Sequence, residues 1–211
     1  RRPVIYLSPE FKLMYEALTH NTKGDYLLEK GMEILWSRGY NATSVNDIVK
    51  AAEVPKGSFY FYFKSKEDFA IKALEKYFEE HFGKANEILQ NQFKSPKARL
   101  LEFHEFRINI LKNEMDCQMG CMACNLGNEM AEHNESIRQI IDEKEQWVMD
   151  QIVVVMEEAQ KMGEIDSSMN VREVAAFIED AGKGAMISMK AKKSAAPIDN
   201  VYKMIRTYFI N

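Results

Sequence analysis

Apolar residues recur at helical spacing along most of the chain. Between positions 22 and 39, Leu27, Leu28, Ile34, Leu35 and Trp36 gather on one side of a helical wheel, and Gly39 supplies a C-terminal stop. Thr43-Ser44 caps a short second helix that carries Val45, Ile48, Val49 and Ala52 on one face. After Val54-Pro55-Lys56-Gly57-Ser58 comes an aromatic run, Phe59 to Phe63. A long helix is predicted from position 65 to about 92, and others over 96–114, 135–161, 171–190 and 198–210. Residues 1–20 follow no such pattern. They read as a leader, disordered or of non-native origin, or as an arm presenting Arg1 and Arg2.

One stretch resists assignment. Phe59-Tyr60-Phe61-Tyr62-Phe63 is what propensity alone would make a strand. It has no evident partner strand, and an unpaired strand leaves its backbone groups unsatisfied. As a helix it would place Phe59 and Phe63 on one face. The three phenylalanines Phe59, Phe61 and Phe63 are expected in the core.

Composition supports an all-α chain. Among 211 residues there are ten glycines and five prolines, too few for a many-turned β protein. The longest run without charge, 117–128, is shorter than the roughly 18–20 residues of a membrane span. Val4 to Leu7 is too short for the apolar region of a signal peptide. Three cysteines make no disulfide framework. A cytoplasmic protein with no membrane partner is therefore expected. The catalytic signatures G-x-S-x-G and H-E-x-x-H and the phosphate loop are absent, as is Glu-x-x-His at any of the four histidines. No enzyme, cofactor or metal is implied.

Positions 43–69 read TSVNDIVKAAEVPKGSFYFYFKSKEDF. The spaced set Thr43, Asp47-Ile48, Ala52-x-Val54, Lys56-Gly57-x-x-Tyr60-x-Tyr62-Phe63 and Lys66-Glu67 resembles the DNA-binding domain of the TetR family of transcriptional repressors. With the preceding amphipathic helix the resemblance covers about residues 22–72. It implies a three-helix helix-turn-helix domain over 21–72, whose second motif helix lies in the major groove of double-stranded operator DNA. Lys56, Gly57 and Ser58 would open that helix, where backbone N–H groups favour phosphate. Tyr60 and Tyr62 would offer hydroxyls to phosphate or base edges. Lys66 and Thr43 are implied as backbone anchors. Glu53 departs from the family pattern, which has glycine at this turn, and must accept a left-handed conformation or a different turn.

Charge limits how such binding works. The chain carries a net charge of −4 and lacks the strongly basic character of proteins that coat nucleic acid. DNA must meet a small local patch, away from the acidic bulk.

The resemblance further implies a helical ligand-binding and dimerisation domain over 73–211. Helix 171–190 carries an apolar stripe with small residues, and 198–210 a second. Phe177, Ile178, Gly182, Ala185, Met186, Met189, Val201 and Ile205 are the expected homodimer interface, and two-fold symmetry predicts a palindromic operator. Phe103, Phe106 and Trp147 are candidates to line an apolar effector pocket; His104 reads rather as a hydrogen-bonder of the surface or core.

Cys117, Cys121 and Cys124 form Cys-x3-Cys-x2-Cys and share a helix face if Gly120 leaves the helix intact. Three readings stay open: small buried hydrophobes, thiol sensors, or metal ligands, although zinc would want a fourth ligand that no standard spacing supplies. The segment from Gly120 to Glu129 is similar to the electrophile-responsive branch of the family, typified by the repressor of N-ethylmaleimide reductase. That likeness implies Cys121 as a sensor and Lys190 as a cation that lowers a thiol pKa if close. The expected function is a ligand-responsive repressor released by a small molecule or by thiol modification. A helical thiol-dependent enzyme and a protein-binding scaffold are the alternatives, and neither needs the capped helix, tight turn and Lys-Gly-Ser of 43–69.

Overall fold

The computed structural model describes residues 23–210. The reading of 1–20, with Arg1 and Arg2, lies outside them. Nine α-helices follow one another among the described residues: α1 (Lys23–Arg38), α2 (Val45–Ala51), α3 (Lys56–Tyr62), α4 (Lys66–Leu89), α5 (Pro96–Asn109), α6 (Met122–Met130), α7 (Glu135–Lys161), α8 (Val171–Lys192) and α9 (Ala196–Met204). Single π-helical stretches, Ile110–Glu114 and Ile205–Phe209, continue α5 and α9. No strand occurs among the described residues. The chain separates into two compact units at Ala73 and Leu74, within α4.

In the first unit, local chemistry sets the boundaries. Gly39 takes φ 86° and its N–H bonds Leu35 O at 2.9 Å, ending α1 as a left-handed C-cap. Ser44, rather than Thr43, caps α2. Its hydroxyl accepts from the Asp47 N–H while the Asp47 carboxylate accepts from the Ser44 N–H, a complete capping box. Glu53 closes the turn with φ 54°, the left-handed conformation its position demands.

The aromatic run is helical. Phe59 and Phe63, four residues apart, are both buried and pack with Phe69, ring centroids 5.0–5.7 Å apart. Phe61, expected in the core, is 81% exposed. A helix turns about 100° per residue, so the position midway between two core residues faces outward. Gly31 lets α1 approach this core: a Cβ there would lie 2.6 Å from both Ile48 Cγ2 and Phe69 Cζ.

The second unit is built on Leu74, Phe78, Leu89, Leu100, Phe103, Leu126, Ile152, Met156 and Ile178, all buried. Ser95 and Asn134 cap α5 and α7 through their side chains. Arg99 is buried; it donates to Leu89 O at the end of α4 and pairs with Glu158 of α7, tying three helices. Between α5 and α6 the backbone is contorted: Asp116, Cys117 and Gly120 have φ 46°, 57° and 65°. The helix that would have aligned the three cysteines is therefore interrupted, at Gly120 and also upstream of it.

Candidate functional site

Only some of the residues singled out from sequence lie on the surface of α3, on the wall of a cavity or on the outer side of α8. On α3, Lys56, Gly57 and Tyr60 are exposed, Ser58 and Tyr62 half-buried. The Tyr62 ring rests on α1 at Gly24, where a Cβ would come within 2.7 Å of it. Exposed Phe61 packs edge-on to Tyr62, centroids 4.8 Å apart. Phe61 was not foreseen on this surface, because its direction depends on the run being helical.

Thr43 and Lys66 are turned inward. Thr43 is 1% exposed and its hydroxyl donates to Gly39 O at 2.6 Å. The Lys66 ammonium donates to Tyr40 O at 2.9 Å and Thr43 O at 3.0 Å, and lies 4.1 Å from the Tyr40 ring centroid. Both brace the loop between α1 and α2 instead of offering a polar group to phosphate. The carbonyls at the end of α1 and in the following loop need partners, and these two side chains supply them.

The cavity lies in the second unit and encloses about 100 Å³. Its walls are mainly apolar, with Tyr77, His81, His104, Arg107, Cys121 and Glu179 as the polar groups. Arg107 makes a two-pronged ion pair with Glu179, at 2.5 and 3.0 Å, and lies 5.2 Å and 5.1 Å from the ring centroids of Phe82 and Phe103. Burial disfavours charge on both partners, but their mutual attraction prevails: Arg107 is held above its ordinary pKa and Glu179 below. His104 is buried with no partner for Nε2, and burial, assisted by Arg107, lowers its pKa to about 4.

Cys121 brings a thiol to the cavity wall. The neighbouring Cys124 thiol lowers its pKa to about 6 against the effect of burial, helped by the Tyr77 hydroxyl, which donates to Sγ at 3.3 Å. Cys124 is correspondingly raised by its bond to Cys121 and by burial. The Lys190 ammonium is engaged with Asn125, donating to Oδ1 at 3.3 Å, and the lysine stem covers Gly120, so it buttresses the loop before Cys121.

Of the predicted pocket residues, Cys121 alone lines the cavity. Phe103 is buried behind Arg107, Phe106 is half-buried off the wall, and Trp147 is 41% exposed on α7. Cys117 packs against the apolar cluster of Ala185, Met189 and Ile198 beside the cavity, without lining it. Conversely, residues predicted for a dimer face line the cavity from α8 and α9: Ile178, Gly182, Ala185, Met186, Val201 and Ile205. Met189 is fully buried. Phe177 alone of that set points outward. The exposed side of α8 carries Phe177, Gly184 and Ile187, and the outer side of the C-terminal segment carries Met204 and Tyr208. His104, read from sequence as no ligand contact, belongs to the wall; no motif marks it.

Among the described residues no three His, Cys, Asp or Glu side chains gather to hold a metal ion, and no helix is long and apolar enough to cross a membrane.

Comparison with known proteins agrees with this division. Residues 27–73 match the bacterial regulatory proteins of the tetR family, and residues 96–205 match the tetracyclin repressor-like C-terminal domain. The HTH-type transcriptional repressor DhaR of Mycobacterium sp. (strain GP1) is 30% identical over 85% of this chain and 88% of its own. The HTH-type transcriptional repressor NemR of Escherichia coli (strain K12) is 26% identical over 89% and 93%. The crystal structure of regulatory protein TetR from Rhodobacter sphaeroides superposes with a TM-score of 0.79 at 27% identity, covering 85% of this chain and 95% of that one. The N-terminal helix-turn-helix and the helical unit that follows it are those of a transcriptional regulator, not of an enzyme, and the chain belongs to the TetR family.

Proposed function

We propose that this chain is a repressor that binds a palindromic operator as a homodimer and is released by a small effector acting in the cavity of the second unit, either by filling it or by modifying Cys121. Residues 21–72 form the DNA-binding domain and 73–211 the effector and dimer domain. The observation that carries the reading is a thiol of lowered pKa on the wall of an apolar cavity, in a chain whose other unit is a helix-turn-helix. Lys56, Gly57, Ser58, Tyr60 and Tyr62 meet DNA from α3, with Phe61 beside them, while Thr43 and Lys66 hold the preceding loop. A cavity of about 100 Å³ takes a molecule of a few heavy atoms, such as a small quinone or aldehyde. The effector works only through its preference for the released state over the bound one. The cytoplasm is the compartment in which this takes place.

Fluorescence anisotropy tests the reading. The labelled duplex is the DNA upstream of the protein's own gene, titrated with reductant-free protein before and after adding a quinone. The parent is expected to bind and then be released, and Cys121→Ser to bind and stay bound. Release of Cys121→Ser like the parent sinks the thiol route, and failure of the parent to bind sinks the operator.

A further inference from the structure

Cys121 has a second thiol placed to react with it. Cys121 is the N-cap of α6, with extended backbone angles, and Cys124 is the third helical residue. That relation between N-cap and third position also joins Ser44 to Asp47 in the capping box of α2. In α6 the same spacing sets the two thiols side by side across the first turn, near enough for Cys124 to act on the Cys121 pKa. Cys121 lines the cavity and Cys124 does not, so a small reagent held in the cavity meets Cys121. All three thiols are free, and Cys117 packs into apolar side chains without lining the cavity.

We propose that Cys121 and Cys124 are a dithiol oxidation site, in which a small hydroperoxide reacts at Cys121 and Cys124 then closes an intramolecular disulfide across the first turn of α6. The proposal rests on the reading of Cys121 as a reactive group of the effector cavity. In the first step the Cys121 thiolate attacks the terminal peroxide oxygen. The O–O bond breaks, the sulfur is oxidised by two electrons to a sulfenic acid, and the leaving oxygen takes a proton to become an alcohol, or water from hydrogen peroxide. In the second step the Cys124 sulfur attacks the Cys121 sulfur. The S–S bond forms, the S–O bond breaks, and hydroxide leaves with the Cys124 proton as water. Two thiols and one hydroperoxide give one disulfide, one water and one alcohol.

The two sulfurs are electronically unequal, as these steps require. The pair holds Cys121 below the ordinary thiol pKa and Cys124 above it, so Cys121 is the more readily ionised of the two. Cysteines at the start of a helix in Cys-x-x-Cys form are a recognised setting for this division of labour.

The test treats reduced full-length protein with one equivalent of hydrogen peroxide, blocks remaining thiols with iodoacetamide and measures intact mass and peptide maps. Two of the three thiols are expected to be lost together, the chain lighter by two hydrogens before blocking, with Cys117 alkylated and a reducing agent restoring all three. Cys124→Ser is expected to stop at a sulfenic acid that dimedone captures. A parent that gives a sulfinic acid at Cys121 with Cys124 still alkylated, or a disulfide to Cys117 or between chains, overturns the proposal. Operator binding by the same oxidised sample separates the two readings. A Cys121–Cys124 disulfide without release leaves the chemistry standing and removes Cys121 from effector response. Release by a quinone with no disulfide from peroxide does the reverse.

Discussion

His104 offers a sharp test of the cavity's electrostatics. Its ring is buried on the wall with Nε2 unpartnered, next to the Arg107 guanidinium and with Glu179 beyond it. Burial and Arg107 lower its pKa from 6.5 to about 4, while Glu179 opposes the shift only weakly. The folded state therefore binds the proton less readily than the unfolded chain. Stability is unaffected above pH 6.5 and is lost as pH falls toward 4. Between pH 7 and pH 5 the linkage amounts to about 2 kcal/mol, because the unfolded chain is almost wholly protonated at pH 5 and the native ring hardly at all. The assay is urea unfolding at both pH values and one fixed protein concentration, for the parent and for His104→Leu, whose difference cancels the other titrating groups. The parent should lose about 2 kcal/mol more than the variant on acidification. A ring NMR titration gives the pKa directly. A midpoint near 6.5, or equal pH dependence in parent and variant, refutes the argument that this ring is held neutral by burial.

Two further outcomes follow from the backbone and the outer surface. Glu53→Gly should stabilise the first unit by about 0.5–1 kcal/mol. Relief of a left-handed L residue is worth about 1–2 kcal/mol, and the freer unfolded glycine takes part of it back. Chemical denaturation followed by far-UV circular dichroism checks it, and a destabilised variant would mean the turn is not strained by Glu53. Ile187→Asp should weaken homodimerisation by roughly a hundredfold. Each copy forgoes about 1.5 kcal/mol of burial at a site now 56% exposed, and symmetry doubles the loss. Sedimentation equilibrium reads the change, and an unaltered dimer would place the interface elsewhere.

What sequence disclosed was what short-range chemistry decides. Gly39, the Ser44–Asp47 pair and Ser95-Pro96 mark helix ends through contacts within four residues, so the boundaries of α2 and α5 were legible. Phe59 to Phe63 was ambiguous because aromatic propensity favours a strand, while packing against Phe69, a longer-range fact, makes it a helix. Phe61 was assigned to the wrong side for the same reason. The stripe Ile178, Ala185, Met189 was visible, but periodicity reports only that a face is apolar, not whether its own chain or a second copy covers it. The cysteine segment failed differently. Asp116 and Cys117 take left-handed angles without being glycine, and no residue type announces that. His104 has no motif around it; only the fold reveals a buried imidazole with an unsatisfied nitrogen.

Helix α8 has two apolar sides. Ile178 and Ala185 wall the cavity, while Phe177 and Ile187, one and two residues along from them, look away from it. If the outward side meets a second copy of the chain, reciprocity ties the two equilibria together: whatever an effector does to association, association does to the effector's affinity by the same factor. Effector titrations at different protein concentrations would then give different apparent constants. Such a spread would be a thermodynamic signature of one helix shared between two binding events, and its size would give the coupling free energy of the switch.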